Sequence, residues 1–159
     1  MNINQYLKAI KILFLAMLMA QILFLVVSIL VIFQTSLVGT NKELSKILLI
    51  VSTACILIGV YISNTLSRKK IAELRGSKSL LEKLQGYRTI LIIKYALLEA
   101  PSFLTIVSYL LTGNTSFLLL AFLIIVVFAM NNPTKDKLIF DLELNREEQE
   151  ILNNPNSFI

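Results

Sequence analysis

Four long apolar runs dominate the sequence and limit what the chain can fold into. They cover approximately residues 12–33, 47–66, 89–111 and 116–130, and the last is the shortest. A transmembrane helix needs about 20 consecutive apolar residues, and it satisfies its own backbone hydrogen bonds inside the hydrocarbon. The sequence therefore predicts an all-α membrane protein, a single four-helix bundle with four transmembrane helices.

The composition agrees with this prediction and excludes other classes of protein. Hydrophobic residues make up 56% of the chain and charged residues 16%, whereas soluble domains average about 45–50% and about 25%. A small soluble domain leaves much of its surface wet, so it has no room to bury this many apolar side chains. An ordinary soluble enzyme and a disordered chain are excluded, and the single cysteine excludes a disulfide-stapled module.

The distribution of Lys and Arg predicts how the helices are oriented. Twelve of the 15 lie before the first run, between the second and third runs, or after the fourth; only two lie on the opposite side. Cytoplasmic loops carry an excess of these residues. We therefore expect a protein of the plasma (inner) membrane whose termini and middle segment, residues 67–88, are cytoplasmic. The remaining cation, Lys94, lies inside the third run, close enough to the cytoplasmic end to reach the headgroups; the alternative is that it is a partner of Glu99.

The two cytoplasmic segments carry opposite charges. The middle segment, residues 67–88, is basic, and its position beside the bilayer predicts attraction to anionic lipid headgroups. The tail, residues 131–159, has a net charge of −3. These two segments either remain separately solvated or dock on each other, and the sequence leaves both arrangements open. The cations expected at the membrane surface are Arg68, Lys69, Lys70, Arg75, Lys78, Lys83 and Arg88.

Short local signals predict helices in both cytoplasmic segments. Ser79 with Glu82, and Asn145 with Glu148, have the spacing of a capping box, which begins a helix. We expect residues 67–75 to continue the second transmembrane helix until the chain turns. The middle segment is thus predicted to be a helical loop, and the tail a short helical one.

The two halves of the chain resemble each other. Short polar turns, residues 39–41 and 113–115, separate the runs within each half, and residues 64–71 and 132–138 close the halves. Both closing segments contain an Asn, a hydroxyl residue and then basic residues. This pattern predicts two tandem helical hairpins related by a parallel internal repeat. The alternative is that all membrane hairpins share apolar runs with basic flanks.

Glu99 is the most unusual residue of the apolar runs. At about 1.5 Å per residue it lies about 15 Å into the third run, near the middle of a hydrocarbon core about 30 Å thick. A carboxylate is costly there, so burial favours the neutral acid, for which Gln21 at nearly equal depth is a suitable hydrogen-bond acceptor. Pro101 kinks the helix and frees the Leu97 carbonyl. Glu99, Gln21 and Pro101 are thus either a structural contact between helices or a proton or cation site.

The third run also carries a pattern found in a known family. Arg88-Thr89 is followed, after nine further residues, by Glu99-Ala100-Pro101. This arrangement, over residues 84–111, resembles the acidic helix of ATP synthase proteolipid (c) subunits, while the rest of the chain does not match them. The resemblance implies that Glu99 is a carboxyl group that gains and loses a proton as a rotor turns.

Small residues share one face of the second run. Ser52, Cys55, Gly59 and Ser63 follow one another at spacings of three, four and four. Such a face lets helix backbones approach closely. We expect it to pack against another helix of the same chain or, alternatively, against a neighbouring copy.

Motifs for catalysis or cofactor binding are missing from the sequence. The chain has no histidine, no Walker motif, no CxxC and no Gly-rich dinucleotide turn, so we expect no metal, no cofactor, no small-molecule substrate and no nucleic acid. We therefore expect a non-enzymatic accessory or scaffold subunit of a larger membrane assembly, or a homo-oligomer. The alternative is a proton- or cation-conducting protein that uses Glu99.

Overall fold

A computed structural model describes residues 3–35, 42–77 and 79–154, and confirms that the chain is all-α. No strand occurs in these ranges. The predicted turn at residues 39–41 and the predicted surface cation Lys78 lie outside them. The helices in chain order are α1 (Ile3–Thr35), α2 (Lys42–Arg75), α3 (Leu80–Thr112), α4 (Ser116–Ala129), α5 (Lys135–Leu142) and α6 (Arg146–Asn153).

Three of these helices are long and apolar enough to cross a membrane. They are α1, α2 and α3, with 33, 34 and 33 residues. The apolar helix α4 has only 14 residues, which is about 21 Å of helix against a hydrocarbon core of about 30 Å. The long helices are consistent with an integral membrane protein, and α4 covers the predicted fourth run except for its last residue.

The middle segment consists mainly of the ends of two long helices. As predicted, α2 continues through residues 67–75, and the chain turns at Gly76. The next helix, α3, begins behind Ser79, whose hydroxyl accepts a hydrogen bond from the backbone N–H of Glu82 (3.2 Å). The helices therefore enter the middle segment from both sides, as the predicted helical loop requires.

The central helix is α3, which contacts α1, α2 and α4. It runs antiparallel to α2, because Ser52 lies beside Ser108 near one end of the pair and Leu74 lies against Gly86 near the other. At the end of α3, Gly113 adopts the left-handed conformation (φ 62°) and its N–H bonds to the Tyr109 carbonyl (2.7 Å). This glycine lets the chain reverse sharply into α4.

The first helix packs on α3 and α4, and it has no comparably extensive contact with α2 in the described residues. Its Phe14 ring lies 5.5 Å from the ring of Tyr95 and 5.4 Å from that of Phe128, measured between centroids. A tandem-hairpin arrangement pairs α1 with α2, whereas here α3 is the main neighbour of both. The closing segments of the two halves also differ, since residues 64–71 are helical throughout whereas residues 132–134 are not.

The main apolar core lies at the end of the bundle where α5 and α6 pack. Its fully buried members include Tyr6 of α1, Leu84 and Tyr87 of α3, and Leu138 of α5. The Tyr6 hydroxyl donates a hydrogen bond to the Leu84 carbonyl (2.5 Å). The long helices expose many apolar side chains beyond this core, Leu57 to 66% for example. Lipid tails solvate such side chains as well as another helix does.

Candidate functional site

Glu99 lies near the middle of α3 and is partly buried. No hydrogen bond or ion pair joins its carboxyl group to another residue in the described part of the chain. An isolated carboxyl at this depth is costly in hydrocarbon. Its position on a flank of α3, rather than inside the bundle, leaves it accessible to a neighbouring molecule.

Gln21 is fully buried on α1, and neither its amide nitrogen nor its amide oxygen has a hydrogen-bond partner among the described residues. Along α1, Gln21 lies between Phe14 and Phe24, whose rings contact Tyr95 and Phe103 of α3. These two contacts place Gln21 level with about residues 100–102 of α3. Gln21 and Glu99 are therefore at similar depths, as the sequence predicts. The expected hydrogen bond between them is absent.

Pro101 is buried in α3 and faces Gly59 of α2. A Cβ atom on Gly59 would lie 2.8 Å from Cγ of Pro101 and 2.9 Å from the Leu97 carbonyl oxygen. The Leu97 carbonyl, which the proline leaves without its usual partner, is thus covered by the α2 backbone. This close approach is of the kind in which a Cα–H group of one helix contacts a carbonyl oxygen of the other. Because it is covered, this oxygen is poorly placed to coordinate a cation.

The face of small residues on α2 packs against α3 within the chain. Ser52, Gly59 and Ser63 are buried, and the Ser52 and Ser108 hydroxyl oxygens are 3.3 Å apart. The Ser63 hydroxyl has no partner among the described residues. Cys55 is only partly buried and lines a cavity of about 300 Å³ beside the α2–α3 contact.

The acidic tail docks on the basic middle segment. Lys83 of α3 donates a hydrogen bond to Oε1 of Glu148 in α6 (2.7 Å), and the two side chains are only 9% and 13% exposed. A second ion pair joins Arg75 to Glu143, whose side chains are 39% and 64% exposed. Of the two arrangements left open by the sequence, docking is the one that the molecule adopts.

The groups at this interface have shifted proton affinities. Burial raises the pKa of Glu148, but the hydrogen bonds from Lys83 and from the Asn145 N–H, together with the Lys83 charge, outweigh it and hold the pKa below its ordinary value. Burial, and after it the nearby Asp141 carboxylate, raise the pKa of Tyr87 well above its ordinary range. The Tyr87 hydroxyl therefore stays protonated and donates to Asp141 (3.0 Å). Sequence reasoning missed both Tyr87 and Asp141, since 54 residues separate them.

The predicted surface cations fall into two groups. Arg75 and Lys83 are paired with the tail as described. The others that the structure describes remain exposed at the end of the bundle; they are Arg68, Lys69, Lys70 and Arg88. Docking therefore leaves a basic surface made chiefly by one stretch of α2.

No cluster of three or more Cys, Asp or Glu residues that could hold a metal ion occurs in residues 3–35, 42–77 and 79–154. Comparison with known proteins found no matching family model, no matching curated protein and no matching solved structure. The broad class therefore follows from the helices themselves, which are consistent with an integral membrane protein.

Proposed function

We propose that the chain is a four-span protein of the plasma (inner) membrane with cytoplasmic termini. In this proposal it is a non-enzymatic accessory or scaffold subunit of a larger membrane assembly or homo-oligomer. The fourth span is α4, whose short length requires a locally thinner bilayer or extension by the turn that follows it. The parallel repeat of two hairpins remains a prediction from the sequence.

The observation that carries the proposal is the carboxyl group of Glu99, which is partly exposed on the flank of α3 and has no partner among the described residues. A carboxyl group in hydrocarbon is stabilised when a neighbouring helix supplies a hydrogen-bond partner. The exposed Ala96, one turn earlier on α3, leaves room beside it for a close helix approach. Both features favour a lateral contact in the membrane, through α3, with another subunit.

A photo-crosslinking residue at position 96 tests this contact in intact membranes. We expect one discrete adduct with a partner or a second copy, which Glu99→Ala abolishes and Glu99→Gln retains, because the amide still forms hydrogen bonds. Leu119 of α4, which is 62% exposed, is the matched control position and should give only lipid adducts. A monomer without adducts, or an adduct that survives Glu99→Ala, would contradict the proposal.

A second candidate function is proton or cation conduction through Glu99. It is favoured by the buried, unpartnered Gln21 at a similar depth and by the resemblance of residues 84–111 to proteolipid subunits. Purified protein in proteoliposomes should then conduct protons or cations, and Glu99→Gln should abolish the flux. Equal flux with and without the carboxyl group would rule this candidate out.

A further inference from the structure

A groove of about 590 Å³ runs along α2 on the side towards α4. Part of its lining is apolar and includes Leu57, Val60 and Val127, and one end of the groove is polar, with Asn64 and Arg68. From Leu57 to Arg68 the helix rises about 16 Å, which is close to half of a hydrocarbon core of about 30 Å. The groove therefore has the length and the polarity gradient of one leaflet.

Arg68 lines the polar end of this groove, and two further cations lie near it on other helices. The Lys94 ammonium group of α3 is within range of the charges of Arg68 of α2 and Lys137 of α5. None of the three makes an ion pair with a carboxylate in the described residues. One carboxylate, Asp141, is also within range of the Lys94 charge. The three cations outnumber it, so an excess of positive charge remains beside the polar end of the groove.

We propose that this groove binds one anionic phospholipid of the cytoplasmic leaflet. An acyl chain lies along Leu57, Val60 and Val127. The phosphate lies among Arg68, Lys94 and Lys137, whose charges complement it. The inference goes beyond the proposed function and rests only on its membrane orientation, because the groove and the flank of Glu99 are separate surfaces.

Single tryptophans provide the reporter, since the chain has none of its own. Leu57→Trp places the indole in the groove. Ile58→Trp places it at almost the same depth but outside the groove, because the native Ile58 side chain is 57% exposed and lines the separate cavity beside Cys55. Each variant is reconstituted in phosphatidylcholine vesicles that contain either brominated phosphatidylglycerol or brominated phosphatidylcholine. Bromine quenches the indole that it touches. We expect the Leu57→Trp signal to be quenched preferentially by the anionic lipid and the Ile58→Trp signal to be quenched equally by both.

Charge variants then separate a defined site from general attraction to the membrane surface. A cation beside a bound headgroup contributes about fivefold to the affinity for that anionic lipid, so Arg68→Gln with Lys137→Gln should reduce the preference at position 57 about thirtyfold. Lys69→Gln with Lys70→Gln removes the same charge from neighbours on α2 that do not line the groove, and should leave most of the preference at position 57.

Several outcomes would overturn the site. They are equal quenching preference at positions 57 and 58, a preference that survives the loss of Arg68 and Lys137, or equal losses in the two double variants. Quenching by brominated phosphatidylcholine checks that each variant is folded and inserted. The crosslinking from position 96 is unaffected by these substitutions if the site and the lateral contact are independent, so the two proposals fail separately.

Discussion

Replacing Lys83 with methionine should release the acidic tail from the middle segment. The substitution keeps most of the apolar stem but removes the ammonium group that donates to Glu148 across 2.7 Å. Because the two side chains are only 9% and 13% exposed, the Glu148 carboxylate loses its cation in a site that water barely reaches and keeps only the hydrogen bond from the Asn145 N–H.

The size of the effect follows from this burial. Breaking a buried ion pair by removing one partner costs about 3–5 kcal/mol, and the residual exposure here favours about 3 kcal/mol. The pair of Arg75 and Glu143 is a matched control, since it joins the same two parts of the chain with side chains 39% and 64% exposed. Exposed pairs contribute about 0.2–1 kcal/mol, so Glu143→Gln, which leaves the hydrogen bond from Arg75 Nε to the Asp141 carbonyl (3.0 Å) in place, should loosen the tail far less.

The assay is the rate at which a thiol-reactive maleimide labels Leu152→Cys in a Cys55→Ala background. Leu152 is 2% exposed, so its thiol reacts only when the tail opens. A loss of about 3 kcal/mol raises the labelling rate about 150-fold, and a loss of about 1 kcal/mol raises it about fivefold. Equal rates for Lys83→Met and Glu143→Gln, or an unchanged rate for Lys83→Met, would refute the assignment of the buried pair as the main attachment.

Three further predictions test the rest of the structure. The pKa of Glu148 is lowered on folding, so its contribution to docking is fully present above about pH 4.5, the ordinary pKa of the group. The contribution is lost as the pH falls through the folded-state pKa. Over that fall in pH, amide exchange in α6, corrected for intrinsic rates, should rise in the native protein and not in Glu148→Gln. Gly59→Ala should destabilise the bundle by about 1–3 kcal/mol in unfolding by detergent, because the rigid Pro101 ring occupies the space of the new methyl group. The control is Gly76→Ala, which should have no such effect because its Cβ would meet only the Glu73 carbonyl oxygen, at 3.7 Å. Ser108→Ala should cost about 1 kcal/mol through the lost Ser52 contact. Ser63→Ala should be neutral or stabilising in the same assay, since the Ser63 hydroxyl has no hydrogen-bond partner among the described residues.

Local signals predicted several elements correctly because each depends on a few neighbouring residues. The capping box at Asn145 and Glu148 is present with both of its hydrogen bonds, and α6 begins directly after it. The continuation of α2 through residues 67–75 is confirmed as well. These features depend on spacings of three or four residues, so the order of the chain is sufficient to find them.

The candidate site was predictable only in its residue types and depths. Sequence counting places Glu99 and Gln21 at similar depths, and the ring contacts on either side of Gln21 agree with it. Whether the two side chains meet depends on how α1 and α3 are rotated about their axes. That rotation buries Gln21 completely and leaves Glu99 on the flank of α3, without a partner in the part of the chain that the structure describes.

The sequence by itself determined that this chain forms long apolar helices, because hydropathy adds up along a run whatever the run packs against. Only the tertiary structure decided that α3 is central, that Gly59 covers the carbonyl freed by Pro101, and that Lys83 meets Glu148 across 65 residues of chain. Each of these contacts joins residues far apart in sequence, and its free energy depends on burial and geometry that exist only once the helices have packed.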